Sequence, residues 1–154
     1  MKQYLIETFR YNDWANKQVL KLIGEMPQPA EAIRFFSHLI NSQNKWMARI
    51  NGDENAPKMQ WFAPIYPLEE LETRWDASLA TWLEFLAQLP EEDLERRSHF
   101  VSVDGKQSSA LIREIALQLN YHSIHHRAQI SLLLRQQGLE PPFTDYIGTV
   151  WQKH

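Results

Sequence analysis

The chain of 154 residues contains no cysteine. That absence removes disulfides, thiolate metal ligands and a cysteine nucleophile, and it fits a reducing cytoplasm. No apolar run is long enough to span a bilayer, and the opening residues Met1-Lys2-Gln3-Tyr4-Leu5-Ile6-Glu7 do not make a signal peptide. A cytoplasmic protein with no membrane partner is therefore expected. Basic clusters are missing too: at a formal net charge of −3 the sequence offers no surface for nucleic acid. Internal repeats and low-complexity tracts are absent. With 44% hydrophobic and 23% charged residues, the composition is that of one globular domain over residues 1–154.

What the chain does have is helical periodicity. A first segment from about Lys2 to Ile23 carries Leu5, Phe9, Val19, Leu20 and Ile23 on one face and stops at Gly24. Asn12 and Asn16 fall on that same apolar face, which requires a polar partner, a buried water or a cavity beside them. After a Pro27/Pro29 break, a second segment runs from about Ala30 to Ile50, with Ile33, Phe36, Leu39, Ile40, Met47 and Ile50 in its stripe. The third begins after Pro67, with Glu69, Glu70 and Glu72 favouring its electropositive end, and closes before Pro90. The fourth starts near Ser108 or Ser109, either of which can cap it, and runs to Gln137 before Gly138 and Pro141-Pro142. Asp104-Gly105 between short extended runs reads as a hairpin turn. The expected fold is all-α: a four-helix bundle with a short β-hairpin or extended segment between helices 3 and 4. The connection from Asn51 to Pro67 is long for a bundle and holds Trp61, Phe62 and Tyr66 among three prolines. Either it covers an end of the core or it walls a pocket.

The densest chemistry lies in the fourth segment, Tyr121 to Gln129. At 100° per residue, His122 and His126 point the same way as Ile112, Ile115, Leu119, Ile130 and Leu133, along the centre of the apolar stripe. Two imidazoles at i and i+4 can converge on one ion, and a buried position is costly for them unless something satisfies them. Ser123 stands where a zincin carries its glutamate, so the metalloprotease pattern is absent. A third ligand must come from another helix. On the helical wheel His38 points away from its stripe, toward Arg34, Ser42 and Arg49, and reads as solvated. His125 lies a quarter-turn off its neighbours, and neither His99 nor His154 has a recommending pattern. Arg127 reads as a surface or dimer-edge charge. A second stripe on the fourth segment, Leu117, Tyr121, Ile124, Ala128 and Leu132, implies burial on two sides. A homodimer is expected to use it, the alternative being cover by the hairpin or the C-terminal tail.

These residues resemble a known family. His122-Ser123-Ile124-His125-His126-Arg127-Ala128-Gln129 is similar to the H-x-x-H-H-R-G-Q signature of DinB-like proteins, with alanine in place of the usual glycine. Tyr11-Asn12-Asp13-Trp14-Ala15-Asn16 resembles the family's Y-N-x-W-A-N opening. Phe36-Ser37-His38-Leu39-Ile40, followed by Trp46 and Arg49-Ile50-Asn51-Gly52, resembles its H-x(7)-W segment. The resemblance implies a four-helix bundle with a three-histidine site for a divalent metal, nickel or zinc, and assigns the ligands as His38, His122 and His126. It implies no polymerase activity; the family name reflects damage-inducible expression, hence a stress setting.

Three neutral imidazoles leave a divalent ion its full charge and open positions. Relatives with assigned activities imply a thiol-dependent S-transferase or isomerase, in which the metal activates a low-molecular-weight thiol cosubstrate against a small-molecule electrophile. Trp61 and Phe62 would then seat the electrophile, and Asn12 and Asn16 would line the polar side of the pocket. The alternatives are a metal-dependent hydrolase using activated water, which lacks a carboxylate spaced beside the histidines, and a non-catalytic metal- or ligand-binding stress protein.

Overall fold

The computed structural model describes residues 1–152 and is mainly helical. Helix α1 spans Lys2–Ile23, α2 Ala30–Ile50, α3 Leu68–Gln88 and α4 Ile112–Gln136. A hairpin of β1 (Arg97–Val101) and β2 (Gln107–Leu111) joins α3 to α4, and a short α5 (Ile147–Val150) follows. Helix α1 packs on α3 and α4, α2 packs on the same pair, and α1 meets α2 only marginally, so the two lie diagonally across the bundle. The four-helix bundle with an intervening hairpin is therefore present.

The core divides into two apolar clusters. Leu5, Phe9, Met47, Trp82, Leu86 and Ile115 belong to one, and Val19, Ile23, Phe36, Ile40, Trp75 and Ile130 to the other. Along α1 and α4 the residues between them are polar and buried: Asn12, Asn16, Asn120, Ser123, His126 and Arg127. Apolar residues at each end hold the bundle, and the middle layer is free to carry polar side chains.

One boundary departs from the sequence pattern. Ser108 and Ser109 do not cap α4; they pair with Phe100 and His99 in the hairpin. The helix begins at Ile112 after an extended Leu111 that lends no side-chain cap, and the Ile112 N–H donates to the Arg96 carbonyl at 3.0 Å. A backbone acceptor from the hairpin thus replaces the serine hydroxyl at a helix end whose N–H groups need partners. The turn itself is as read, with Gly105 at φ +80°.

The long connection after α2 folds back along one side of that helix. Lys45 Nζ donates to the Met59 carbonyl, Asn41 Nδ2 to the Pro64 carbonyl at 3.0 Å, and the Tyr66 N–H to Ser37 Oγ at 3.0 Å. These ties give α2 a second buried face, which a wheel that assumes one core cannot show. Tyr66 packs on the core, while Trp61 and Phe62 reach the histidines.

Candidate metal centre

His38 from α2 and His122 and His126 from α4 meet in one cluster. Nε2 of His122 lies 2.9 Å from Nε2 of His38 and 2.9 Å from Nε2 of His126. One ligand atom from each falls within 4.8 Å of the others. Successive turns of α4 place two of the rings, and α2, packed against α4, supplies the third.

The outer ring nitrogens fix what the inner ones offer. His38 Nδ1 is 2.7 Å from the Trp61 carbonyl, an acceptor only, so Nδ1 carries the proton and Nε2 presents a lone pair. His126 Nδ1 donates to Gln129 Oε1 at 2.6 Å with the same consequence. At least two lone pairs therefore point at one locus, an arrangement that a single cation can satisfy. Outer partners of this kind orient metal-binding imidazoles. Phe62 stacks on His38 at 3.8 Å, and Phe35 lies 5.3 Å from His126, which closes the cluster on its apolar sides. The residues present fit a divalent ion.

Electrostatics keep the rings neutral. Burial, then repulsion from His126 and His38, pushes His122 down to about 3, and burial followed by His38 pushes His126 down to about 4. Burial also lowers His38. All three are thus ready to bind metal at neutral pH without first losing a proton. An unfolded chain takes up protons near 6.5 whereas the folded metal-free protein does not, so its stability falls as pH drops below about 6.5, down toward about 4. The melting temperature of metal-free wild type should therefore decline more steeply between about pH 7 and 5 than that of His122→Gln, followed by circular dichroism. Equal slopes would contradict the buried neutral cluster.

A cleft of about 320 Å³ opens at the cluster, lined by His38, Ser42, Trp46, Trp61, Gln118, Leu119 and His122. No acidic side chain is among these residues. Trp46 and Trp61 lie 6.0 Å apart and make the cleft wall aromatic, and Arg49, outside the lining, sits over both rings.

His38 is 5% exposed rather than solvated, because the returning loop buries that side of α2. His125 is exposed, His99 pairs in the hairpin away from the cluster, and His154 lies outside the described residues. Trp61 lines the cleft and Phe62 packs on a histidine. Asn12 and Asn16 are not among the cleft-lining residues. Their side chains are spent on Arg127, which is 3% exposed and no surface charge: Nη1 donates to Asn12 Oδ1 and Asn16 Oδ1, each at 2.9 Å, and Nη2 to Tyr11 Oη at 2.9 Å. The asparagine amides donate onward to Asn120 Oδ1 and Ser123 Oγ, both at 2.7 Å. The opening tyrosine-asparagine pattern of α1 is thus a clamp on Arg127. Gln129, Gln118, Trp46 and Ser42 were not singled out from the sequence as site residues. Gln129 was legible as i+3 from His126, and Gln118 as i−4 from His122.

A helical bundle with a buried three-histidine cluster between α2 and α4 defines a class of candidate metal-binding proteins. The DinB family model matches residues 1–153, and the chain belongs to that family. Protein DinB of Bacillus subtilis (strain 168) is 22% identical over 162 aligned positions, covering 95% of this chain and 93% of that protein. No solved structure matches the chain significantly.

Proposed function

We propose that the protein is a divalent-metal enzyme, with nickel or zinc at His38, His122 and His126, that joins a low-molecular-weight thiol to a small electrophile or uses the thiol to isomerise one. The carrying observation is the convergence of imidazole Nε2 atoms at the head of an aromatic cleft with no carboxylate in its lining. When bound, the ion would supply positive charge that favours the ionised form of a thiol or polarises a carbonyl. The chain's own residues do the rest. Trp61, through its carbonyl, and Gln129 hold the proton on Nδ1 of His38 and His126 and so fix the tautomers. Trp46 and Trp61 seat an apolar electrophile and exclude water, while Ser42 and Gln118 offer hydrogen bonds at the mouth.

The acid-free lining favours thiol over water as nucleophile. A thiol, with a pKa of ~8.5, ionises beside a cation without a further base, whereas metal-dependent hydrolysis commonly adds a positioned carboxylate as general base, which this lining lacks. Zinc- or nickel-loaded protein should consume bacillithiol, mycothiol or glutathione when monochlorobimane is added, and leave thiol untouched without it. Turnover of p-nitrophenyl acetate in the absence of thiol would instead support the hydrolase. Neither activity, with metal still bound, would leave a binding protein.

We also propose that the chain acts as a homodimer through the outer face of α4. Tyr121, Ile124 and Leu132 are 61%, 44% and 55% exposed, and the C-terminal segment leaves them so. Apolar groups in such a row mark contact surfaces. Light scattering should give twice the chain mass for wild type and a monomer for Tyr121→Glu/Ile124→Glu.

A further inference from the structure

A second cleft lies elsewhere. About 530 Å³ in volume, it lies between α4 and the segment Glu140 to Asp145, with Arg127 and Tyr11 in its lining. None of the ion pairs among the described residues includes Arg127. Its guanidinium is buried yet meets only neutral oxygens: two asparagine carbonyls and a phenol. A buried charge without an opposite charge is costly, and arginine stays protonated in proteins, so the deficit cannot be relieved by losing the proton.

Part of the group is unspent. Nη1 is fully used, whereas the Nε–H has no acceptor among the described residues. Nε is also not among the buried atoms lacking a partner, so it keeps a small accessible area, and Arg127 lines the cleft. A guanidinium edge of this kind matches a planar carboxylate. The lining also holds Ser131 and a second arginine, Arg135, which is in no ion pair among the described residues. Pro141, Pro142 and Phe143 supply apolar walls. Glu140 and Asp145, also in the lining, disfavour a doubly charged phosphate more than a single negative charge.

We propose that this cleft binds a small organic monocarboxylate with an apolar body, its carboxylate held by the free edge of Arg127 and its body packed on Pro142 and Phe143. The site is separate from the histidine cleft and does not depend on what that cleft does. Its volume lies within the range of small-molecule pockets.

Isothermal titration of metal-loaded wild type with sodium benzoate and, separately, with benzyl alcohol tests the proposal. Saturable binding of one benzoate per chain is expected, at least ~10-fold tighter than benzyl alcohol because a charged hydrogen bond is lost in the alcohol. Because Arg127→Gln disturbs a structural hub, the decisive variant is Ser131→Trp, which fills the cleft and leaves the Arg127 clamp in place; it should abolish binding. His122→Ala should bind benzoate as wild type does. Absence of binding, equal affinity for the alcohol, or persistence in Ser131→Trp would each overturn the proposal. So would loss in His122→Ala, which would place the carboxylate at the histidines.

Discussion

Replacing Arg127 with leucine will cost about 3 kcal/mol of stability, a large share of what a domain of this size has in reserve. The side chain joins Asn12, Asn16 and Tyr11 of α1 to α4 through three hydrogen bonds in the buried layer between the two apolar clusters. Leucine leaves Asn12 Oδ1 and Asn16 Oδ1 without donors, at about 1–3 kcal/mol each, and removing a poorly compensated charge returns part of that loss. The sum should lower the melting temperature by roughly 6–12 °C and shift the urea midpoint with little change in slope. The triple variant Asn12→Leu/Asn16→Leu/Arg127→Leu should not recover the loss, because Asn120 Oδ1 and Ser123 Oγ, which the two asparagine amides serve, are then left without a donor. A loss under about 1 kcal/mol for the single variant would mean that the network is incidental.

Removing a histidine ligand will weaken metal binding far more than removing its hydrogen-bond partner. Gln129→Leu takes the acceptor from His126 Nδ1, 2.6 Å away, and leaves all three rings in place. Changes of that kind typically cost ~10–100-fold in affinity. His38→Ala removes a donor atom outright and leaves two histidines of one helix to hold the ion, so its loss should exceed ~100-fold. Competition with a chromophoric chelator orders the three proteins. Equal affinities for Gln129→Leu and His38→Ala would contradict the assignment of His38 as a ligand and Gln129 as its neighbour's support.

The four helices were legible because apolar residues at helical spacing are punctuated by Gly24, Pro29, Gly52, Pro67, Pro90 and Gly138, and each helix ends close to one of these. The start of α4 was not, since Ser108 and Ser109 carry a capping pattern that hairpin pairing overrides. His122 and His126 were legible from one helix alone. His38 was assigned only by resemblance, because its burial depends on Trp61 and Phe62, residues 23 and 24 positions further on, folding back over α2. Arg127 was misread for a related reason. Its partners Asn12 and Asn16 were flagged as buried polar groups in want of a partner, and Arg127 is that partner, but nothing in the spacing of α4 connects the two helices.

X-ray absorption spectroscopy on protein reconstituted with zinc or nickel is the most direct test of the central claim, because it counts imidazole ligands at the ion. The account predicts one ion per chain with three imidazole nitrogens at ~2.0–2.1 Å, falling to two in His38→Ala or to no bound metal. An ion held without three imidazoles, or wild type that takes up neither metal, would contradict it.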